Sequence, residues 1–140
     1  MPRARGHGRL LAGEVGELAG VSGNTIGQWA RWGYIHSSQS EGEPRVYAVE
    51  DVAEAAVVAD LLARGVRHAD VRATIRRLGR SYGDWPLSEA RLATTGDNGR
   101  PQVVLRESGS AWALGRRGWQ RLAVVPPLED VRVRLAPRDR

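Results

Sequence analysis

Val15 and Leu18 fall three residues apart and set one apolar face for a short helix over residues 13–19. Gly20 interrupts it, Val21 follows, and Ser22 stands where a helix N-cap belongs. Ile26 and Trp29 repeat the spacing in a second helix, residues 24–32, which Gly33 ends. Two short helices joined by a tight glycine-containing turn predict a helix-turn-helix. The second helix exposes Asn24, Thr25, Gln28 and Arg31 opposite its apolar side, with Trp29 expected in the core and Trp32 more open. Those four polar residue types can hydrogen-bond base edges or phosphates.

Tyr34-Ile35-His36 and Pro44-Arg45-Val46-Tyr47 flank a polar stretch, residues 37–43, and predict two short strands forming a β-wing. A third helix starts near Val49-Glu50-Asp51, with Val52, Ala55, Ala56, Val58, Ala59 and Leu62 apolar. Its acids lie at the N-terminus and Arg64 at the end, as the helix dipole prefers, and Gly65 is the stop. A fourth helix is expected over residues 68–78, with Val71, Ile75 and Leu78 as its stripe and arginines on its solvated face. Gly79, Gly83 and Pro86 are expected to end helical character.

The period then shortens. Strand-like runs occupy residues 91–95, 102–106, 111–114, 118–125 and 131–135, the last expected as an edge strand. Asn98-Gly99 is a hairpin signal, and Glu107-Ser108-Gly109-Ser110 a second turn. These pieces predict a small antiparallel sheet of roughly three to five strands. The fold class is therefore α+β, in three parts: a flexible basic arm (1–9), a winged helix-turn-helix domain (10–80) and a small β-rich C-terminal domain (81–140).

Composition adds a polyanion partner to this picture. The 140 residues carry a formal net charge of +5, and all 21 Lys+Arg positions are arginine. A GC-rich genome accounts for most of that choice, but arginine's planar fork also suits phosphate and guanine. Arg3, Arg5 and Arg9 make the N-terminal arm a tail, or a strap able to enter a minor groove. Glu14 follows too soon for a signal-peptide core. No apolar run approaches the roughly 20 residues of a membrane span. With no cysteine, disulfides and thiolate metal sites are excluded, and a cytoplasmic location is expected. His7, His36 and His68 are scattered without ligand spacing, so no metal is expected. Neither a G-x-S-x-G elbow nor a phosphate-binding P-loop occurs, so no enzyme activity and no cofactor are expected.

From Gly13 to Leu78 the chain resembles the MerR family of bacterial transcription regulators. The resemblance rests on Glu14-Val15, Leu18, Gly20-Val21-Ser22, Thr25-Ile26, Trp29 in place of the usual tyrosine, and Gly33-Tyr34-Ile35. It continues through Arg45-Val46-Tyr47, Asp51-Val52 and Arg64-Gly65-Val66, all in order. It implies a recognition helix in the major groove of double-stranded DNA and a wing on flanking phosphates. Ser22, Asn24, Thr25 and Gln28 then fall at the DNA end, the last three facing bases. Arg31, Arg45, Tyr47, Arg67 and His68 face the backbone. Gly27 departs from the pattern, because the family usually has a DNA-contacting arginine there. The long dimerisation helix after the fourth helix is also missing.

A lesser likeness covers Trp85-Pro86-Leu87, residues 91–96 and the following hairpin, which resemble VapB-type antitoxins with a MerR-like N-domain. It implies a toxin partner such as a PIN-domain ribonuclease. The first expectation is a sequence-specific regulator acting as a homo-oligomer, either a dimer or an array. The alternatives are an antitoxin repressing its own operon and an excisionase-like architectural factor.

Overall fold

The structure is a computed structural model and describes residues 9–37, 46–82, 86–96 and 100–132. It divides into two compact units, one running to Ala59 and the other from Asp60 to Arg132.

The first unit opens with α1 (Ala12–Ala19) and α2 (Gly23–Trp32). Glu14 reaches back to accept from the Leu11 amide at 3.1 Å, satisfying a donor the helix start leaves free. Gly20 ends α1 at φ 84°, and the Gly20 and Val21 amides both donate to the Gly16 carbonyl, at 2.8 and 2.9 Å. Ser22 caps α2 by accepting from the Thr25 amide at 3.1 Å. A glycine is required at Gly16, because any Cβ there would run into the Val21 carbonyl oxygen. Gly33, at φ 80°, ends α2, and the Tyr34 amide donates to the Trp29 carbonyl at 2.8 Å.

The chain beyond Gly33 does not form the expected strand. Tyr34 and Ile35 lie in an irregular segment with their side chains buried, and the Tyr34 ring meets the Trp32 ring edge-on at 5.5 Å. Closing α2 uses the Tyr34 amide, and burial holds the next side chain, so a ladder has nothing to start from. Tyr47 instead forms an antiparallel bridge with Leu10, with both Arg9 and Leu10 amides donating to its carbonyl at 3.0 Å. The last residue of the expected arm is thus held against the chain. Residues 1–8 of that arm and residues 38–45 of the wing lie outside the described residues. Next, α3 (Val49–Ala63) starts with Asp51 accepting from the Ala48 amide at 2.8 Å. Val15, Ile26, Trp29, Tyr34, Tyr47, Val52 and Val58 are buried and make the core of this unit.

The second unit begins in the last turn of α3 and turns at Gly65, φ 95°. It continues with α4 (His68–Tyr82) and the short α5 (Pro86–Glu89). The fourth helix runs past Gly79 rather than stopping there. The glycine is exposed with open space around it, so it weakens the last turn without breaking it. Five strands follow: β1 (Arg91–Thr95), β2 (Val103–Glu107), β3 (Ser110–Leu114), β4 (Trp119–Arg121) and β5 (Leu128–Asp130). They form one antiparallel sheet in the order β4-β3-β2-β1-β5.

Leu92, Leu105 and Trp112 align across β1, β2 and β3, with Ala93, Val104 and Ala113 on the opposite face. Successive buried residues in β1 and β2 show that both faces are covered there. The β2–β3 turn is tight: Ser108 and Gly109 both take positive φ, 53° and 75°. The β1–β2 connection is wider, closing with the Thr95 amide on the Gln102 carbonyl at 3.1 Å. Asn98-Gly99 falls within it, outside the described residues. Among the described residues the last edge strand is β5, and the alternating run expected at 131–135 lies from residue 133 onward outside the described residues. Val131 adds one bond from its amide to the Leu92 carbonyl at 2.8 Å.

Candidate nucleic-acid interface

Helix α2 carries the candidate site. Asn24, Gln28 and Arg31 follow i, i+4, i+7 spacing and are all exposed. Ile26 and Trp29, on the other side, are 0% and 3% exposed. The buried pair fixes which way the helix faces, so the polar stripe faces solvent without a cost in core packing. Two further expected residues are committed locally. Ser22 Oγ lies 2.9 Å from Thr25 Oγ1 as well as accepting from the Thr25 amide. They set the first turn of α2, and thereby the direction in which Asn24 projects.

Gly27 lies beside this stripe. Among the described residues, a Cβ built there would have only the Arg31 Nη1 as neighbour, at 3.5 Å. The Arg31 guanidinium therefore lies over the glycine and brings a positive charge to the place where a side chain at 27 would start.

The remaining expected contacts are distributed differently. Tyr47 is 1% exposed, so its ring belongs to the core and offers almost no surface to a phosphate. Arg67 and His68, both exposed, start α4 in the second unit, with Arg67 Nε 3.5 Å from an Asp70 carboxylate oxygen. Arg45 lies outside the described residues.

One cluster escaped the sequence reading. His36, Asp51 and Glu54 bring potential ligand atoms within 4.8 Å of one another. His36 Nδ1 is 3.0 Å from Glu54 Oε1, and both carboxylates are fully buried. Such a set could hold a cation, but these bonds already give it a structural task. Asp51 caps α3, and His36 is tied through Glu54 to the same helix. Only the i, i+3 spacing of the two acids was visible in sequence; His36 arrives from a different segment.

Two short helices with this capped turn, and a polar stripe over a buried apolar pair, define a helix-turn-helix DNA-binding domain. Residues 11–78 match the family described as MerR HTH family regulatory protein. The segment is a DNA-binding domain of the kind found in transcription regulators. No curated protein and no solved structure matches the chain. The family match ends within α4, so it lends no support to the likeness of the remainder to VapB-type antitoxins. Among the described residues, no helix is long and apolar enough to cross a membrane.

Proposed function

We propose that the protein is a transcription regulator that reads double-stranded DNA in a sequence-specific way, with α2 as its recognition helix. The exposed Asn24–Gln28–Arg31 stripe, inside the segment that matches the MerR family, carries this reading. Asn24 and Gln28 present amides, which pair bidentately with adenine in the major groove. Arg31 supplies a fork for a phosphate or a guanine. Thr25 sits at the flank of the stripe, where its methyl group can meet a thymine while its hydroxyl stays with Ser22. Arg45, with Arg67 and His68 at the start of α4, would hold backbone phosphates.

Fluorescence anisotropy on the DNA upstream of the protein's own gene, against a scrambled duplex at two salt concentrations, tests this. The expected result is tighter binding to the native duplex, with log K falling by about 0.9 per log unit of salt for each phosphate neutralised. Equal, weak binding to both duplexes sinks the reading.

A further inference from the structure

The second unit contains a basic groove of which the DNA reading uses only Arg67. Its volume is about 500 Å³, and α4 forms one wall while the β1–β2 and β3–β4 connections form the other. Arg76 and Arg77 reach it from α4, Arg67 from the residue just before α4, and Arg100 and Arg116 from the two connections. Asp70, beside Arg67, is the one carboxylate in its lining among the described residues. Gathering five guanidinium groups around one concavity raises the local potential. Arg77 is held in place, with Nη2 donating to the Arg116 carbonyl at 2.7 Å. Its Nε is buried and has no acceptor among the described residues. A buried donor on a fixed cation calls for an acceptor, and an anion oxygen is one.

The rest of the lining limits the size and character of the ligand. Ala73, Pro101, Val103 and Leu114 supply an apolar side. The volume lies within the range of about 300–1,000 Å³ typical of small-molecule sites, well above what a bare phosphate fills. Guanidinium forks match phosphate oxygens in pairs.

We propose that this groove binds a small organic phosphate of nucleotide size, with its charged end on the arginines and its body against the apolar side. Only Arg67 is shared with the DNA reading, and the proposal stands whether or not α2 reads DNA.

Calorimetric titration of the full chain with ADP and with pyrophosphate tests it, alongside the variants Arg76→Ala, Arg116→Ala and Arg76→Lys. Arg121→Ala, on exposed β4, serves as the control outside the groove. The expected result is saturable binding of both ligands, weakened about tenfold by each alanine variant. Arg76→Lys should retain part of it, and Arg121→Ala should leave it unchanged. Arg76 and Arg116 are exposed, so these variants should melt as the parent does; circular dichroism checks this. Absence of saturable binding at millimolar ligand overturns the proposal, as does an equal loss in Arg121→Ala. It is also overturned if Arg76→Ala and Arg116→Ala flatten the salt dependence of DNA binding while ADP binding is unchanged, since the arginines would then be DNA contacts.

Discussion

Gly16 and Gly27 sit in neighbouring helices and make opposite demands on substitution. At Gly16 an added Cβ meets backbone on every side: the Val21 oxygen, Ser22 C at 3.0 Å and Gly23 N at 3.1 Å. Backbone in a capped turn has little room to yield, so Gly16→Ala should destabilise the protein by about 1–3 kcal/mol in thermal or urea melts. At Gly27 the neighbour is the far end of a flexible arginine, so Gly27→Ala should raise stability by up to about 1 kcal/mol. Gly27→Arg adds a cation on the same exposed side as Arg31. If α2 lies in the groove, it should tighten DNA binding and steepen the salt slope by about 0.9. An unchanged slope would place this side of α2 away from DNA. The two glycines were unequally visible in sequence. Gly27 stood out because the family pattern expects a side chain there. Gly16 reads as an ordinary helical position, since what forbids its Cβ is a turn folding back over it. At His36 a pair invisible to spacing gives a further expectation. His36→Ala takes one partner from the buried Glu54 carboxylate and should cost about 1–3 kcal/mol by the same melts.

At the end of α3, the sequence gives Arg64 a small task and the fold gives it a larger one. As a cation near a helix C-terminus it would add a few tenths of a kcal/mol. In the structure it bonds Asp60 at 3.1 Å and Thr94 Oγ1 at 3.0 Å, and the Glu129 and Asp130 carbonyls at 2.7 and 2.8 Å. One guanidinium thus joins the helix end to β1 and to β5, an edge strand only three residues long. Arg64→Ala should destabilise this unit by about 2–4 kcal/mol, and Arg64→Lys by nearly as much, because an ammonium cannot span these directions. A melt in which Arg64→Lys matches the parent would show that charge alone suffices. These partners lie 30, 65 and 66 residues away, beyond the reach of any periodicity. The same contrast runs through the other elements. Helices α1 to α3 and strands β1 to β3 were legible because each has a buried face written into its spacing. The strand expected at Tyr34 failed because closing α2 and filling the core claimed those residues. The helix expected to end at Leu78 continued, since one exposed glycine costs less than a lost turn.

Across the whole chain, the family match and the division into units do not coincide. The match runs to Leu78, whereas the first compact unit closes at Ala59, and α3 belongs to both. If α2 is the recognition helix, what the segment 11–78 can do alone is limited by how few of its residues would face a base. Three stripe residues at about 1–3 kcal/mol of discrimination each read only a few base pairs. Non-specific binding starts from a Kd of about 10⁻⁴–10⁻⁶ M, and regulators reach about 10⁻⁸–10⁻¹¹ M on their sites. One chain spans that gap only if every stripe contact is ideal. Two chains on repeated half-sites spaced by one helical turn span it with ordinary contacts. The protein should therefore bind its operator as two or more copies, although among the described residues only the short α5, not a long helix, follows α4. Analytical ultracentrifugation of the protein with a duplex carrying one or two half-sites would measure the stoichiometry. Two chains on the double site, with cooperative binding and a weak single site, are expected. A tight one-to-one complex on a single half-site would mean that surfaces other than α2 supply the affinity.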